Sequence, residues 1–461
     1  MAAESYDVVV LGGGAGGVPA AIRAAQLGGR VAIIEGEALG GLCMNKACIP
    51  FGHMNVASNM LGNLSLGKEF GLEFTGMTKD YPTLIKRQND LIDFMRMGVR
   101  SMLNKNKVEI IEGRGRISGK NKVEVKGEIV RHKKLILATG SKWVRSDVAG
   151  VDAEEVRNSD MLLNIEILPE RVLLFGKSRW NIQIAQSLHR FGSQVTLVTE
   201  DKRILSEESR MITSRLTKAL KEEGIHIKTQ REIVGVKKEN KGLHVELMSS
   251  DGVETVIVDR IINLDRSASL RDNGLNSISL DENHPYLKVN EKMETEAENV
   301  YAIGDLTGPQ SRHYSNLASE MGITAAENAM EKSTEVDMRT FTRVLFTQPQ
   351  VACVGLTPKE AKKKAYEVVT GAAPLSMNPL GMIIAENDGI MEVVAEKKHG
   401  EVLGVNILGN AASEMIGQGI LAIQLEATLE DLARASFPHP TLSESLAEAG
   451  REALGRPIFL P

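Results

Sequence analysis

The chain is poor in cysteine, has no excess of either charge and contains no long apolar run. Three cysteines in 461 residues exclude a disulfide-scaffolded secreted protein. Lys and Arg number 55 against 60 Asp and Glu, a net charge of −5. No basic excess therefore points to nucleic acid or an anionic membrane as a partner. No stretch approaches the ~20 apolar residues that span a bilayer. The start, MAAESYD, is acidic where a secretory signal needs a basic segment. Cytoplasmic residence is the expectation.

What is present is ordinary globular material: 42% hydrophobic and 25% charged residues, enough for several cores at typical domain sizes. Residues Tyr6 to Leu11 (YDVVVL) form a β-branched run of the kind buried parallel strands show. A glycine turn, a small-residue helix (Val18 to Leu27) and a second strand (Arg30 to Glu35) follow. A second unit of this shape starts at Arg171, which predicts two related βαβ domains. After Thr347 the pattern becomes four strands and then two helical stretches, Ala411 to Leu425 and Leu429 to Ala435, as in an α+β domain.

In the first unit Gly12, Gly14 and Gly17 form G-x-G-x-x-G between strand and helix, and Glu35 ends the next strand. Such glycines let backbone approach a pyrophosphate at a helix N-terminus, and the acid accepts from a ribose hydroxyl. A dinucleotide is expected there. Cys43 and Cys48 follow closely. Residues five apart in a regular helix lie ~8 to 9 Å apart between Cα atoms, beyond the ~7 Å limit of a disulfide. If the two bridge, the chain at Cys43 is irregular, with Gly40-Gly41 supplying the freedom. Two unrelated buried thiols are the alternative. A metal site would need further Cys or His neighbours, and only His53 lies close.

At these residues the sequence resembles the flavoprotein disulfide reductases, specifically the dihydrolipoamide dehydrogenase branch. The resemblance extends over the whole chain. Leu137 to Ser141 (LATGS) is similar to the family's crossover segment, with Thr139 and Gly140. Tyr301 to Asp305 (YAIGD) is similar to its second FAD motif. Gly113 to Gly115 fits the strand segment near the adenine, and Gly40-Gly41 precedes the cysteine pair. Phe346 to Thr357 and His439 to Glu444 (HPTLSE) resemble its interface-domain signatures. The resemblance implies FAD at Gly12, Gly14, Gly17, Glu35, Gly41, Gly115, Thr139, Gly140 and Asp305, and no metal. It also implies a redox disulfide, with Cys43 the interchange thiol and Cys48 the thiol beside the flavin. His439, held by Glu444, would be the base for a dithiol substrate across a homodimer interface. The fold implied is α/β, with two Rossmann-like dinucleotide-binding domains and a C-terminal α+β dimerisation domain. Its expected parts are 1–145 and 270–340 for FAD, 146–269 for the NAD-binding-like domain and 341–461 for the interface.

The second glycine motif departs from the family. It reads Gly176-Lys177-Ser178-Arg179-Trp180-Asn181, with two glycines lost and bulky side chains in the turn. The acid expected at the end of the next strand falls on Thr199, and Asp265 replaces a glycine in the segment that flanks the nicotinamide site. The family's Lys–Glu pair near the flavin becomes Gly52 and Gln183, and the first His of its H-x-H-P becomes Phe437. Losing both halves of a buried ion pair avoids an uncompensated charge. These losses favour impaired NAD(P) use and a non-nicotinamide electron carrier, with a lipoyl-type dithiol or a lipoyl-bearing protein as substrate. An ordinary NAD-dependent enzyme with a divergent loop and a non-catalytic FAD-binding subunit are the rival readings.

Overall fold

A computed structural model describes residues 5–144, 148–150, 156–158 and 167–461. The apolar run Tyr6–Leu11 is a nearly fully buried strand (β1), because parallel strands are covered on both faces. It pairs in parallel with Val31–Glu35 (β2), Val8 opposite Val31, and on its other side with Glu128–Leu137. Glu109–Glu112 extends the sheet beyond β2, while Val300–Ala302 joins Glu128–Leu137 from the other end of the sequence. That late strand is why the first domain is built from two chain segments.

The helix Gly17–Gln26 (α1) packs through Ala20, Ala21 and Ala24. Its start lies so close to the helix Ser315–Ala329 that a Cβ on Gly322 would sit 2.2 Å from the Gly16 carbonyl oxygen. Only glycine permits that crossing.

The second domain is a parallel sheet ordered His226–Thr229, Gln194–Thr199, Arg171–Phe175, Arg260–Asn263, Val156–Arg157. An antiparallel meander, 232–258, accompanies it. The chain leaves the first domain along Ser141–Trp143 and returns along Arg266–Ala268, and these two strands pair antiparallel. The expected boundary between residues 145 and 146 lies outside the described residues. In the terminal part a five-stranded antiparallel sheet carries the helices Ala412–Gln424, Leu429–Arg434 and Glu444–Ala453. The fold class is the expected one: α/β with two Rossmann-like units and an α+β terminal domain. The strand Thr342–Leu345 and the helix Glu444–Ala453 are additions that the sequence pattern did not announce. No helix among the described residues is long and apolar enough to cross a membrane.

One core residue gives the first domain an acid-sensitive point. His132, 4% exposed, has no partner on either ring nitrogen, and burial pushes its pKa down to about 4. Its folded pKa lies below the unfolded value of about 6.5, so the unfolded chain takes up this proton first as pH falls. The stability due to neutral His132 is complete above pH ~6.5 and is lost towards pH 4, some 3 kcal/mol in all at ~1.4 kcal/mol per unit. Urea denaturation between pH 7 and 4 should show a shallower acid loss in His132→Leu. Equal slopes in the two proteins would refute this account.

Candidate active site

The carboxyl ends of β1 and β2 open into a cleft of about 1770 Å³, larger than the ~300–1,000 Å³ of common ligand pockets. Gly12, Gly14, Glu35, Gly41, Gly115, Thr139, Gly140 and Asp305 all line it, together with Cys43 and Cys48. Gly17 does not. It faces the strand instead, where a Cβ would lie 1.9 Å from the Gly12 carbonyl oxygen. Gly41, at φ +58°, brings its loop against Gly14, whose Cα a Cβ would approach to 2.7 Å. Glu35 accepts from the N–H of Gly13 and of Glu37, each at 2.7 Å, which fixes its carboxylate at the cleft wall. The donor set suits a dinucleotide: bare amides at a helix start for pyrophosphate and an acid for a ribose.

Cys43 lies inside the short helix Gly41–Lys46 (α2), and Cys48 begins the long helix Cys48–Leu66 (α3). The irregularity expected at Cys43 is instead at Ala47, whose φ −140° and ψ −91° break the helix between the two thiols. Gly40 and Gly41, both at positive φ, serve the turn before α2. Both cysteines are free thiols, hydrogen-bonded to one another. That bond pulls the Cys48 thiol down to about 7; burial opposes this, while the Ser315 hydroxyl and the Arg266 charge assist. Cys43, the donor, is pushed up by the same bond and by burial. Cys48 Sγ lies 3.4 Å from Ser315 Oγ.

Ser315 and Arg266 were not singled out in the sequence. Ser315 opens a helix without a motif of its own, whereas Arg266 sits beside Asp265 in a segment already marked as divergent. Its guanidinium reaches Asp305 at 2.9 Å, Ser141 Oγ at 3.3 Å and the His313 carbonyl at 3.0 Å. The crossing strands Ser141–Trp143 and Arg266–Ala268 set this network, which fixes Asp305 at the cleft. Lys46 pairs with Glu37 at the surface, and Cys353 is buried in its strand.

His439 and Glu444 are together but away from the cleft. His439 Nδ1 lies 3.0 Å from Glu444 Oε1, and Thr441 N–H donates to Glu444 Oε2 at 2.9 Å. Burial works against the Glu444 carboxylate, yet the Thr441 N–H and His439 hold it below its usual range. The imidazole is two-thirds exposed, and neither residue lines the cleft of its own chain. Phe437, in place of the family's first His, packs against the apolar core of the terminal domain.

The two bulky side chains of the divergent turn pack against neighbouring elements. Arg179 lies 4.6 Å over the Tyr314 ring and bonds Glu208 at 3.3 Å, and Arg343 bonds the same carboxylate at 2.8 and 3.0 Å. Burial opposes ionisation of Glu208, but the two guanidiniums hold its carboxyl down to about 2. Trp180 packs edge-on to Phe51 of α3 at 5.1 Å. Gln183 is buried and accepts from Phe346 N–H at 3.3 Å, while nothing lies within 4 Å of where a Cβ on Gly52 would point.

A two-domain dinucleotide-binding fold with a dithiol at the first nucleotide cleft defines a flavoprotein disulfide oxidoreductase. The chain belongs to the pyridine nucleotide-disulphide oxidoreductase family: that family's profile matches residues 6–333, and the profile of its dimerisation domain matches 341–450. Dihydrolipoyl dehydrogenase of Thermus scotoductus is 36% identical, with 98% of each chain covered. That of Bacillus subtilis is 31% identical, with 99% of each covered. In fold it is similar to the crystal structure of LpdA from Mycobacterium tuberculosis, at TM-score 0.87 and 23% identity over 96% of this chain and 98% of that one. It is a flavoprotein oxidoreductase from a family that binds FAD, and its dimerisation domain supports a homodimer.

Proposed function

We propose that the chain oxidises a lipoyl-type dithiol, free or on a lipoyl-bearing protein, through a Cys43–Cys48 disulfide and FAD. We propose further that its NAD(P) use is impaired, so that electrons pass to a non-nicotinamide carrier. The observation that carries the first part is the opening of both thiols into the glycine-lined cleft, with Cys48 lowered chiefly by its hydrogen bond with Cys43. His439, oriented by Glu444, takes the proton of one substrate thiol from the partner subunit's side. The resulting thiolate attacks Cys43 Sγ of the oxidised pair, the Cys43–Cys48 bond breaks and Cys48 leaves as thiolate. The second substrate thiol loses its proton and attacks the mixed disulfide, which releases Cys43. The substrate leaves as a disulfide and the enzyme pair is a dithiol. The Gly12–Gly17 turn, Glu35 and Asp305 would hold FAD, which would supply the two-electron sink for reoxidising the pair.

Ser178 and Asn181 support the second part, since they stand where the G-x-G-x-x-G pattern has glycine and a nicotinamide dinucleotide needs bare backbone. An anaerobic titration of the flavin spectrum with dihydrolipoamide and, separately, with NADH tests both parts. Reduction by dihydrolipoamide with little or slow reduction by NADH is expected. Tight, saturable reduction by NADH would restore the ordinary NAD-dependent enzyme. No reduction by dihydrolipoamide would favour a non-catalytic FAD-binding subunit.

A further inference from the structure

We infer that Asp265 is an internal substitute for a pyrophosphate: its carboxylate fills the amide cradle of the second dinucleotide site and is the group that closes it. This rests on the proposed reading of impaired NAD(P) use and gives it a specific cause. In sequence Asp265 stands where the family has a glycine. In the structure its carboxylate occupies the place of a phosphate. Asp265 Oδ1 accepts from the N–H of Lys177 at 2.9 Å and of Ser178 at 2.7 Å, and Oδ2 lies 3.1 Å from the Lys177 nitrogen. Gln310 Nε2 donates to Oδ1 from the FAD-binding part at 3.2 Å. These amides stand at the start of the 13-residue helix Arg179–Phe191, where unpaired N–H groups and the helix dipole favour an anion.

The surviving glycine fits the same account. Gly176 has φ +110°, and a Cβ there would lie 2.5 Å from Asp265 Oδ2. The one glycine kept from the fingerprint is thus the one the carboxylate needs for its approach. The aspartate itself is held in place: its N–H donates to Asn263 Oδ1 at 2.6 Å, and its carbonyl accepts from Val144 N–H at 2.8 Å. The cradle is therefore intact and self-occupied. An incoming phosphate meets a fixed negative charge on the donors it would use.

The test uses the FAD-loaded wild type, Asp265→Ala and Asp265→Asn, with inorganic pyrophosphate as the probe and calorimetry as the readout. The flavin spectrum and its reduction by dihydrolipoamide report on the integrity of each protein. Wild type should show no saturable binding, and Asp265→Ala should bind pyrophosphate at least about tenfold more tightly, since the charge-assisted acceptor is gone. Asp265→Asn should gain less, because its amide oxygen still accepts from both N–H groups. NADH should reduce Asp265→Ala faster than wild type yet remain a poor reductant, because Ser178 and Asn181 still stand at two of the three glycine positions. Pyrophosphate binding in Asp265→Ala no tighter than in wild type would overturn the inference. If Asp265→Ala fails to retain FAD, Asp265→Asn decides, a gain of about threefold supporting the role through relief of charge repulsion and no gain overturning it. Rapid NADH reduction of the wild-type flavin sinks the impaired-nicotinamide reading itself. Slow NADH reduction with unchanged pyrophosphate binding sinks only the role of Asp265.

Discussion

Replacing Cys48 with serine is expected to leave FAD bound and to abolish its reduction by dihydrolipoamide, with turnover falling by at least ~10³-fold as for the loss of a covalent catalyst. The cradle glycines, Glu35 and Asp305 do not depend on the thiol, so the flavin spectrum should persist. A serine hydroxyl cannot form the disulfide that the substrate thiolate attacks, so the pair has no oxidised state. Cys43→Ala should be equally inactive in turnover but differ in its titration. The leading cause of the low Cys48 value is the hydrogen bond donated by Cys43, and the remaining assistance comes from Ser315 and Arg266. In the reduced enzyme, alkylation of Cys48 should therefore rise at a lower pH than that of an ordinary thiol, and in Cys43→Ala, which has no donor, the rise should move to higher pH. Normal flavin reduction in Cys48→Ser would remove the cysteine pair from the mechanism. An unshifted alkylation profile in Cys43→Ala would remove the hydrogen bond as its cause.

Much of this site was legible in the sequence because its requirements are local. A β-branched run, three glycines at fixed spacing and a terminal acid each follow from what a pyrophosphate and a parallel strand demand of backbone. The cysteine pair was visible by its spacing, but its redox reading came from the family resemblance, since spacing alone left two unrelated buried thiols open. Its geometry was not legible in the sequence. The helix breaks at Ala47, a residue with no propensity for it, because the start of α3 is fixed by Phe51 and Met54 packing on the second domain. Ser315, Arg266 and Tyr314 act through contacts spanning from 39 to 267 residues, and no periodicity records such distances. The divergent turn was the reverse case. Its lost glycines were obvious, but the sequence could not tell where the replacing side chains go. Ser178 Oγ accepts from Trp180 N–H, Asn181 donates to the Phe175 carbonyl and accepts from Leu264 N–H, and the carboxylate of Asp265 takes the amides of the turn. Each substitution has found a partner within the fold, as a site rebuilt for packing would require.

Replacing His439 with glutamine should lower turnover of dihydrolipoamide by ~10² to 10⁴-fold, the usual loss for a general base. FAD binding and the Cys48 titration should be unchanged. The imidazole is held from one side only: Glu444 faces Nδ1 at 3.0 Å, and Thr441 N–H holds the other carboxylate oxygen. Nε2 is thus the nitrogen available to a substrate. The side chain is two-thirds exposed, and the cleft with Cys43 and Cys48 is lined by no residue of the His439 segment. If the partner subunit supplies the base, two dead variants should complement each other. Mixed dimers of Cys48→Ser and His439→Gln pair the intact cysteines of one subunit with the intact histidine of the other at one of their two sites. Random reassortment makes half the dimers mixed, so activity should return to about a quarter of wild type for a twofold-symmetric dimer. Recovery to that level places each site across the interface. If mixing restores nothing although mixed dimers form, His439 serves its own chain or no chain at all.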